Sequence, residues 1–326
     1  MRSGGTGTDD DMMPNLFTTI PPRHVGVDLE SRAHSSHQRS AIRSWHECGF
    51  NPVSIHLAEE IDHNPHLPEA LAACGVETLV IGHANGAASG PLCPIVDFLS
   101  AIGNRVGDES FVIVNADIVL VNDGSRPLAS LVSQLGEGEH LIAQRTDVAV
   151  DRNGRRRESV FAHGFDLVAM RGSWIQRVVP FLTPTLAFGR PWWDHYLPLA
   201  LIALGSRTHL VDPARCLHES HPFRWNKRQY CSIGRQAMEH FHETVVRDAA
   251  SAGARAWLTA IESGMTPIAL PKATAKAVRR IALHSAAPDL LAASVLKRLA
   301  RANVRLILQS AHDGGLRCDA GRRTPA

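Results

Sequence analysis

The sequence lacks several features that would narrow its function at once. Its 326 residues contain only six cysteines, none in a CxxC pair, so neither a disulfide framework nor a structural zinc site is indicated. The longest strongly apolar run covers residues 197–204, far short of the roughly 20 residues that cross a bilayer. The 34 basic and 32 acidic residues nearly cancel, whereas proteins that neutralise nucleic-acid phosphates are usually more basic, so we expect no nucleic-acid partner.

The sequence does contain enough apolar residues, 44%, for a sizeable core. From residue 15 to about residue 236, short apolar runs alternate with helix-like stretches, with a hairpin turn indicated at Asn153-Gly154 and the last strand at residues 208–211. This alternation predicts an α/β fold with a mostly parallel open sheet and helices on both of its faces.

The two ends of the chain differ from this central region. Residues 1–14 lack the apolar stretch of a secretory signal, so we expect a disordered extension on a cytoplasmic protein. Residues 237–326 show no strand pattern and predict a helical extension, in which residues 271–326 hold 11 Lys or Arg against three Asp. This basic end is either a solvated face packed on the main domain or a peripheral contact with an anionic membrane or nucleic acid.

The segment Asn115-Ala-Asp117 follows an apolar run that is typical of a buried parallel strand. Ligands of open α/β sheets bind at the carboxyl ends of such strands, and residues two apart on an extended strand point the same way. Asn115 and Asp117 could therefore face one ligand. An Asp in this place suits Mg²⁺ or Mn²⁺, which would neutralise a diphosphate. The alternative is a turn that only ends the strand.

Two further clusters could carry chemistry. His218-Glu-Ser-His221 does not have the spacing of the helical zinc motif HExxH, and Pro222 indicates a loop, but one histidine could complete a metal site begun by Asp117. Trp192, Trp193 and Asp194 precede a predicted helix, where Asp194 is either a helix-capping residue or a general base beside a tryptophan platform for a sugar acceptor.

Five motifs follow one another along residues 15–236. They are Leu16-Phe-Thr-Thr-Ile-Pro-Pro-Arg23 with Gln38-Arg-Ser-Ala-Ile-Arg-Ser-Trp45 and Gly49-Phe50, then Asn115-Ala-Asp117, His163-Gly-Phe-Asp166, Gly189-Arg-Pro-Trp-Trp-Asp194 and His218-Glu-Ser-His221 with Trp225. In this order they resemble the motifs of GT-A-fold glycosyltransferases of bacterial type, in the nucleotide-diphospho-sugar transferase superfamily. No single motif is specific, and the resemblance depends on their order on an α/β pattern.

The resemblance implies transfer of a sugar, hexosyltransferase-like, from a nucleotide-diphosphate-sugar donor to a hydroxyl of a glycan or another acceptor. It assigns roles to individual residues. Those implied to bind the nucleotide sugar are Thr18, Thr19, Arg23, Asn115 and Asp117; those implied to hold Mn²⁺ or Mg²⁺ are Asp117 with His218 or His221; Asp194 and Asp166 are implied to be catalytic, and Trp192 and Trp193 to bind the acceptor.

One position departs from the family pattern, because Asn115 stands where the first acidic residue of the metal-binding DxD motif is expected. This loss of a charge raises the alternatives of a metal-independent enzyme or an inactive relative. Two other functions stay open, namely a sugar-phosphate nucleotidyltransferase and a non-catalytic binding module. The first strand is followed by Pro21-Pro-Arg-His24 and not by a glycine-rich phosphate loop, which disfavours the nucleotidyltransferase.

Overall fold

The computed structural model describes residues 13–22, 31–82, 92–150, 152–161, 164–219, 227–248, 301, 303–309 and 311. The strands are β1 (Asn15–Thr18), β2 (Asn51–Leu57), β3 (Glu77–Ile81), β4 (Ser110–Val114), β5 (Ile118–Leu120), β6 (Glu139–Ala143), β7 (Thr146–Val150), β8 (Arg156–Val160), β9 (Leu167–Arg171), β10 (Arg207–Leu210) and β11 (Cys216–Glu219). The helices are α1 (Ser31–Glu47), α2 (Ala58–His63), α3 (Leu67–Ala72), α4 (Ile95–Val106), α5 (Leu128–Ser133), α6 (Ile175–Val178), α7 (Trp193–Ala203) and α8 (Lys227–Asp248).

The main sheet has seven strands in the order β10-β6-β9-β4-β1-β2-β3. Strands β3, β2, β1 and β4 are mutually parallel, as are β6 and β10, while β9 runs antiparallel to both of its neighbours. The predicted fold class, α/β with a mostly parallel sheet, is therefore confirmed.

Both faces of the central strands are buried, which explains their nearly continuous apolar sequence. Phe17 and Phe111 belong to one hydrophobic cluster, with their rings 5.8 Å apart, while Leu16 and Val112 belong to a second cluster on the other face. Helices cover the two clusters with apolar stripes. The buried residues are Ala41, Ile42 and Trp45 of α1 on one face, and Ile95, Phe98, Leu99 and Ile102 of α4 on the other.

A second sheet of four strands, in the order β5-β11-β7-β8, was not predicted as a separate unit. The predicted hairpin is present, since β7 and β8 pair antiparallel over the turn at Gly154. The prediction that residues 208–211 form the last strand was wrong. β11 follows it and carries His218 and Glu219 on a strand, where Pro222 had indicated a loop. β5 and β11 are three and four residues long, too short to give a clear periodic signal.

Helix α8 continues across the boundary that we placed between residues 236 and 237. Its buried residues, including Cys231, Met238 and Phe241, belong to the same hydrophobic cluster as the central strands. Residues 303–309 are also helical, and Val304 and Ile307 are buried in this cluster. The division into domains stays a prediction, and the residues 1–12 and most of 271–326 lie outside the described chain. No described helix combines the length and the apolar character that are needed to span a membrane.

Candidate active site

The first residues of the site lie in the turn between β4 and β5, which helix α1 holds in place. The Gln38 side-chain amide donates to the carbonyl oxygen of Ala116 at 2.7 Å, and the Trp45 indole donates to the carbonyl oxygen of Ile118 at 2.8 Å. The His37 ring contacts the carbonyl oxygen of Asp117 at 2.9 Å. Since Gln38 and Trp45 are almost completely buried, the turn is held by anchored side chains.

The structure changes the geometry that we predicted for Asn115 and Asp117. Strand β4 ends at Val114, and the Ile118 amide donates to the carbonyl oxygen of Asn115, so the two residues lie on a turn and not on an extended strand. The Asn115 side-chain nitrogen Nδ2 donates to Asp166 Oδ1 at 2.6 Å, whereas Asp117 Oδ2 lies 3.3 Å from His218 Nε2. The two side chains therefore join a single polar network through different partners.

His218 lies between two carboxylates and is 4% exposed. Its Nδ1 atom is 2.8 Å from Asp147 Oδ1, and its Nε2 atom faces Asp117. Strand pairing produces this contact, because His218 of β11 stands directly opposite Asp147 of β7 and Ile118 of β5. Each ring nitrogen of His218 therefore faces one carboxylate oxygen, with Nδ1 directed at Asp147 and Nε2 at Asp117.

Arg145 connects the His218 network to the buried carboxylate of Asp166, which precedes β9 beside the end of β4. Its Nε atom donates to Asp147 Oδ1 at 2.8 Å, and one terminal nitrogen donates to Asp166 Oδ1 at 2.9 Å. Burial opposes the charge of the guanidinium, but Asp166 and Asp147 outweigh this effect and raise the pKa of Arg145. Arg145 thus keeps its charge among the acidic groups of the network.

Asp166 is 1% exposed, and its two oxygens differ. Oδ1 accepts hydrogen bonds from Asn115 and Arg145, whereas Oδ2 has no hydrogen-bond partner among the described residues. An unpaired carboxylate oxygen in a buried position costs free energy, and such groups concentrate at functional sites. This observation places Asp166 in the polar network at the carboxyl edge of the sheet.

Asp194 is half-buried but densely surrounded by protein at the first turn of α7. Its Oδ1 accepts a hydrogen bond from the Trp192 amide at 3.0 Å. Desolvation, reinforced by the charge of Asp166, raises the pKa of Asp194 to about 8. Gly164 makes room for the carboxylate, because a Cβ atom at this position would overlap Asp194 Oδ2. Asp194 therefore combines a capping contact with a strongly perturbed acid.

Trp192 and Trp193 differ from the predicted acceptor platform, because each is only 1% exposed. The Trp192 indole donates to the carbonyl oxygen of Tyr230 at 2.9 Å, and its ring contacts the backbone of α8 so closely that a Cβ at Gly234 would lie 2.5 Å away. Trp192 also has a left-handed backbone, with φ of 86°. Strain of this kind persists only where surrounding contacts impose it. The ring therefore anchors the start of α7 and thereby the position of Asp194.

Thr18 is the last residue of β1 and Thr19 follows it, beside the end of β4. The register of these strands ends with the pair Phe17 and Ile113, so Thr19 follows the end of β1 as Asn115 follows the end of β4. Thr18 is completely buried, and its hydroxyl has no partner among the described residues, while the Thr19 hydroxyl donates to the carbonyl oxygen of Ile55 at 3.1 Å. Both residues thus lie at the edge of the sheet that carries Asp117.

A buried relay beside β1 holds this strand end. The Ile20 amide donates to Ser54 Oγ at 2.9 Å, Ser54 Oγ lies 2.7 Å from His56 Nε2, and His56 Nδ1 lies 2.8 Å from Glu60 Oε2. Ser54 and His56 are completely buried, which assigns a positioning role to the relay and gives it no route to a substrate.

The turn between β4 and β5 offers few protein ligands to a divalent cation. Among the described residues, no group of three or more His, Cys, Asp or Glu side chains is arranged as a metal site. Asp117 and His218 nevertheless form an adjacent carboxylate and imidazole pair. Asp147 fixes the far nitrogen of His218, as carboxylates commonly do for metal-binding histidines. This pair fits a cation that takes its remaining ligands from a bound diphosphate.

Arg23 and His221 were also predicted to be site residues, but they lie outside the described residues, as do His163 and Trp225 of the motifs. Sequence reasoning missed Arg145 and Asp147. Their signal was their position, since they follow strand β6 at the same sheet edge as Asp117, but residue types alone did not separate them from ordinary surface charges.

The sequence matches no family profile and no curated protein. Among solved structures, the chain is similar to a mannosyltransferase from Pyrobaculum calidifontis in complex with GDP-Man and Mn²⁺, with 12% identity, a TM-score of 0.43, and 93% of this chain and 86% of that chain covered. It is also similar to the inositol-1-phosphate CTP transferase from T. maritima, with 13% identity, a TM-score of 0.39, and coverages of 72% and 97%. A UDP-glucose pyrophosphorylase complexed with UDP-glucose is 8% identical, with a TM-score of 0.28, and the match covers 52% of this chain and 79% of that chain. These neighbours are transferases that act on nucleotides or nucleotide sugars, but likeness at this level carries no argument about activity.

Proposed function

We propose that the chain is a metal-assisted glycosyltransferase that moves a sugar from a nucleotide-diphosphate-sugar donor to a hydroxyl acceptor. One observation carries the proposal. At the carboxyl edge of a parallel sheet, Asp117 faces His218, whose far nitrogen is fixed by Asp147. Ligands of open α/β sheets bind at this edge, and a carboxylate with an oriented imidazole suits a cation that accompanies a diphosphate.

The proposed metal ligands from the chain are Asp117 and His218. When bound, a divalent cation stabilises the negative charge that develops on the departing diphosphate. Asp147 keeps the His218 ring oriented, and the α1 contacts keep the Asp117 turn closed. Asn115 supplies no charge, so it is proposed to act by orienting Asp166, to which it donates a hydrogen bond. Thr18, Thr19 and Arg23 stay proposed contacts of the nucleotide.

Asp194 is proposed as the general base of an inverting transfer. The acceptor oxygen forms its bond to the anomeric carbon while the bond from that carbon to the diphosphate oxygen breaks, and the hydroxyl proton passes to Asp194. A base works best when its pKa lies near the working pH, and the pKa of about 8 satisfies this condition. Burial is the largest cause of this raised pKa, while Asp166 raises the pKa of Asp194 further and Arg145 lowers it.

The first experiment measures thermal unfolding of the full chain with UDP, GDP, CMP and dTDP sugars, each with and without Mn²⁺. A ligand at about 100 times its dissociation constant stabilises the folded state by about 2.7 kcal/mol. We expect one nucleotide to raise the melting temperature only with Mn²⁺, and Asp117→Asn to remove this shift.

The controls separate the proposal from its alternatives. Asp62→Asn changes an exposed acid on α2, so the shift should persist in this variant. A shift without Mn²⁺ would contradict the role of the metal, and no shift with any donor would favour a binding module. If the chain releases pyrophosphate from a nucleoside triphosphate in the presence of a sugar phosphate, its reaction is nucleotidyl transfer and not the proposed glycosyl transfer.

A further inference from the structure

Arg145 contacts both halves of the candidate active site. Asp147 belongs to the half that is proposed to bind the cation, and Asp166 belongs to the half that is proposed to take up the acceptor proton. Arg145 Nε donates to Asp147 Oδ1 at 2.8 Å, and Arg145 Nη1 donates to Asp166 Oδ1 at 2.9 Å. The steps of the reaction proposed above do not use this pair of contacts.

Each of the two contacts ends on an oxygen that has a further partner in the site. Asp147 Oδ1 also lies 2.8 Å from His218 Nδ1, and Asp166 Oδ1 also accepts a hydrogen bond from Asn115 Nδ2 at 2.6 Å. The N–H groups of a guanidinium lie in one rigid plane. One carboxylate therefore cannot turn away from Arg145 without disturbing the contact of Arg145 with the other carboxylate.

The base of the hairpin formed by β7 and β8 fixes the guanidinium itself. The guanidinium lies 4.0 Å from the centre of the Phe161 ring, and the Phe161 amide donates to the carbonyl oxygen of Arg145 at 2.9 Å. The Gln144 side chain donates to the carbonyl oxygen of Phe161 at 2.9 Å. The Arg145 side chain is only 14% exposed. Because ring, backbone and carboxylates all hold it, Arg145 has already lost most of its rotamer freedom before any ligand binds.

The charges around Arg145 explain why a cation occupies this position. Burial has the largest influence on the pKa of Arg145 and lowers it, but the charges of Asp166, Asp147 and Asp117 outweigh burial and raise this pKa. Without the guanidinium, the like charges of the acids would repel one another in a partly desolvated place and favour different side-chain positions. Arg145 thus stabilises the arrangement of acids that the site needs.

We propose that Arg145 is a positioning residue that links the two halves of the site, so that cation binding and sugar transfer both depend on this one side chain. The inference rests on the proposed function and deepens it. Arg145 acts on the cation through Asp147, which orients the histidine that is proposed to bind the metal. It acts on the proton transfer through Asp166, whose carboxylate it holds in place beside the proposed base.

The test compares variants of the full chain by two measurements. One is the affinity for Mn²⁺, from the paramagnetic resonance of the free ion, and the other is the rate of sugar transfer per folded molecule at saturating Mn²⁺ from the UDP, GDP, CMP or dTDP sugar that stabilises the native chain. Arg145→Gln should weaken Mn²⁺ binding about tenfold and lower the rate at least about tenfold. Arg145→Lys keeps the charge but cannot present two separate N–H groups to the two acids, so it should keep the melting temperature and still lose in both measurements.

A matched control and a double variant sharpen the test. Arg105→Gln removes an arginine that pairs with Glu77 at 2.7 Å on the surface, at the edge of the sheet where β3 begins, and it should leave both measurements within about twofold. The double variant Asp147→Asn with Arg145→Gln should bind Mn²⁺ within about twofold of Asp147→Asn alone, because Arg145 acts on the cation through Asp147.

Several outcomes would overturn the inference. Native Mn²⁺ affinity and rate in Arg145→Lys would remove the role of the two separate contacts, and loss in only one measurement would remove the link between the halves. Additive losses of Mn²⁺ affinity in the double variant would contradict the route through Asp147. A native chain that neither binds Mn²⁺ nor transfers sugar would instead contradict the proposed function, and it would do so before any variant is compared.

Discussion

Two buried histidines at opposite ends of strand β6 show how the same residue type can have a structural or a functional setting. His140, at the start of β6, lies between the hydroxyls of Ser206 and Thr208, at 2.7 and 3.0 Å from its two ring nitrogens. His218 lies beyond the other end of this strand, between the carboxylates of Asp117 and Asp147. Both rings are buried, but only the second has charged partners.

Hydrogen bonds within the protein occupy both ring nitrogens of His140. Ser206 donates to the carbonyl oxygen of Leu201, so it accepts from the ring, and Thr208 donates to the other nitrogen. Burial lowers the pKa of His140 to about 3, so the ring is neutral at physiological pH. Around His218, by contrast, the network of acids and Arg145 includes a buried Asp166 oxygen with no described partner. Neutral hydroxyl partners on both ring nitrogens indicate a structural role for His140. Carboxylate partners on both ring nitrogens fit the binding role proposed for His218.

The largest expected effect is on the charged cluster. Asp117→Asn should reduce sugar transfer at least about 100-fold, because it removes several kcal/mol of stabilisation of the departing diphosphate by the metal. The melting temperature should change little, since Asp117 is partly exposed. The rate of sugar transfer is measured as the release of nucleoside diphosphate from the nucleotide sugar that the thermal-unfolding experiment identifies as the donor. Loss of several degrees with activity retained would assign Asp117 to the fold instead.

A smaller loss is expected when the support of His218 is removed. Asp147→Asn should weaken Mn²⁺ binding about 10–100-fold, because the carboxylate no longer orients the ring. Titration of Mn²⁺ in the presence of the nucleotide measures this affinity. Since Asp147 also pairs with Arg145, the melting temperature serves as the control, and unchanged Mn²⁺ affinity would contradict the positioning role.

At the neutral end of β6, substitution should affect stability and not catalysis. His140→Leu removes the ring partners of the buried Thr208 hydroxyl and the partly buried Ser206 hydroxyl, and it should cost about 2 kcal/mol of unfolding free energy. This corresponds to about 4–8 °C in melting temperature. Thermal unfolding and the rate per folded molecule are measured together. A specific loss of transfer with full stability would break the comparison between the two histidines.

Per pH unit, the smallest effect is the dependence of stability on pH that Asp194 contributes. Its folded-state pKa of about 8 lies above the ordinary value of 3.8, so the folded state holds a proton that the unfolded state has released. This contribution is fully present below about pH 4 and is lost as the pH rises towards 8.

Asp194→Asn should therefore flatten the fall in melting temperature between pH 5 and pH 8. The slope difference is at most about 1.4 kcal/mol per pH unit and smaller here, since the carboxyl is partly exposed to solvent. If Asp194 is also the base, the rate of the native chain should rise over this range, and that of Asp194→Asn should not. Identical stability profiles of the two proteins would contradict the raised pKa.

The sequence by itself determined the main sheet. Apolar runs such as residues 111–114 and amphipathic stripes such as that of α4 have periods that hold only in a strand or a helix, so they predicted the α/β fold and the edge that carries Asp117. The resemblance of motifs also implied that His218 or His221 joins Asp117. His218 is adjacent to Asp117 in the structure, and His221 lies outside the described residues.

Only the tertiary structure decided the rest. The short strands β5 and β11 exist because they pair with each other and with β7, and this register is what brings Asp147 to His218. Trp192 became a buried anchor because α8, far along the chain, packs on its ring. Burial and neighbouring charge, which no local pattern encodes, raised the pKa of Asp194. Contacts between residues distant in sequence thus turned a list of candidate side chains into a connected site.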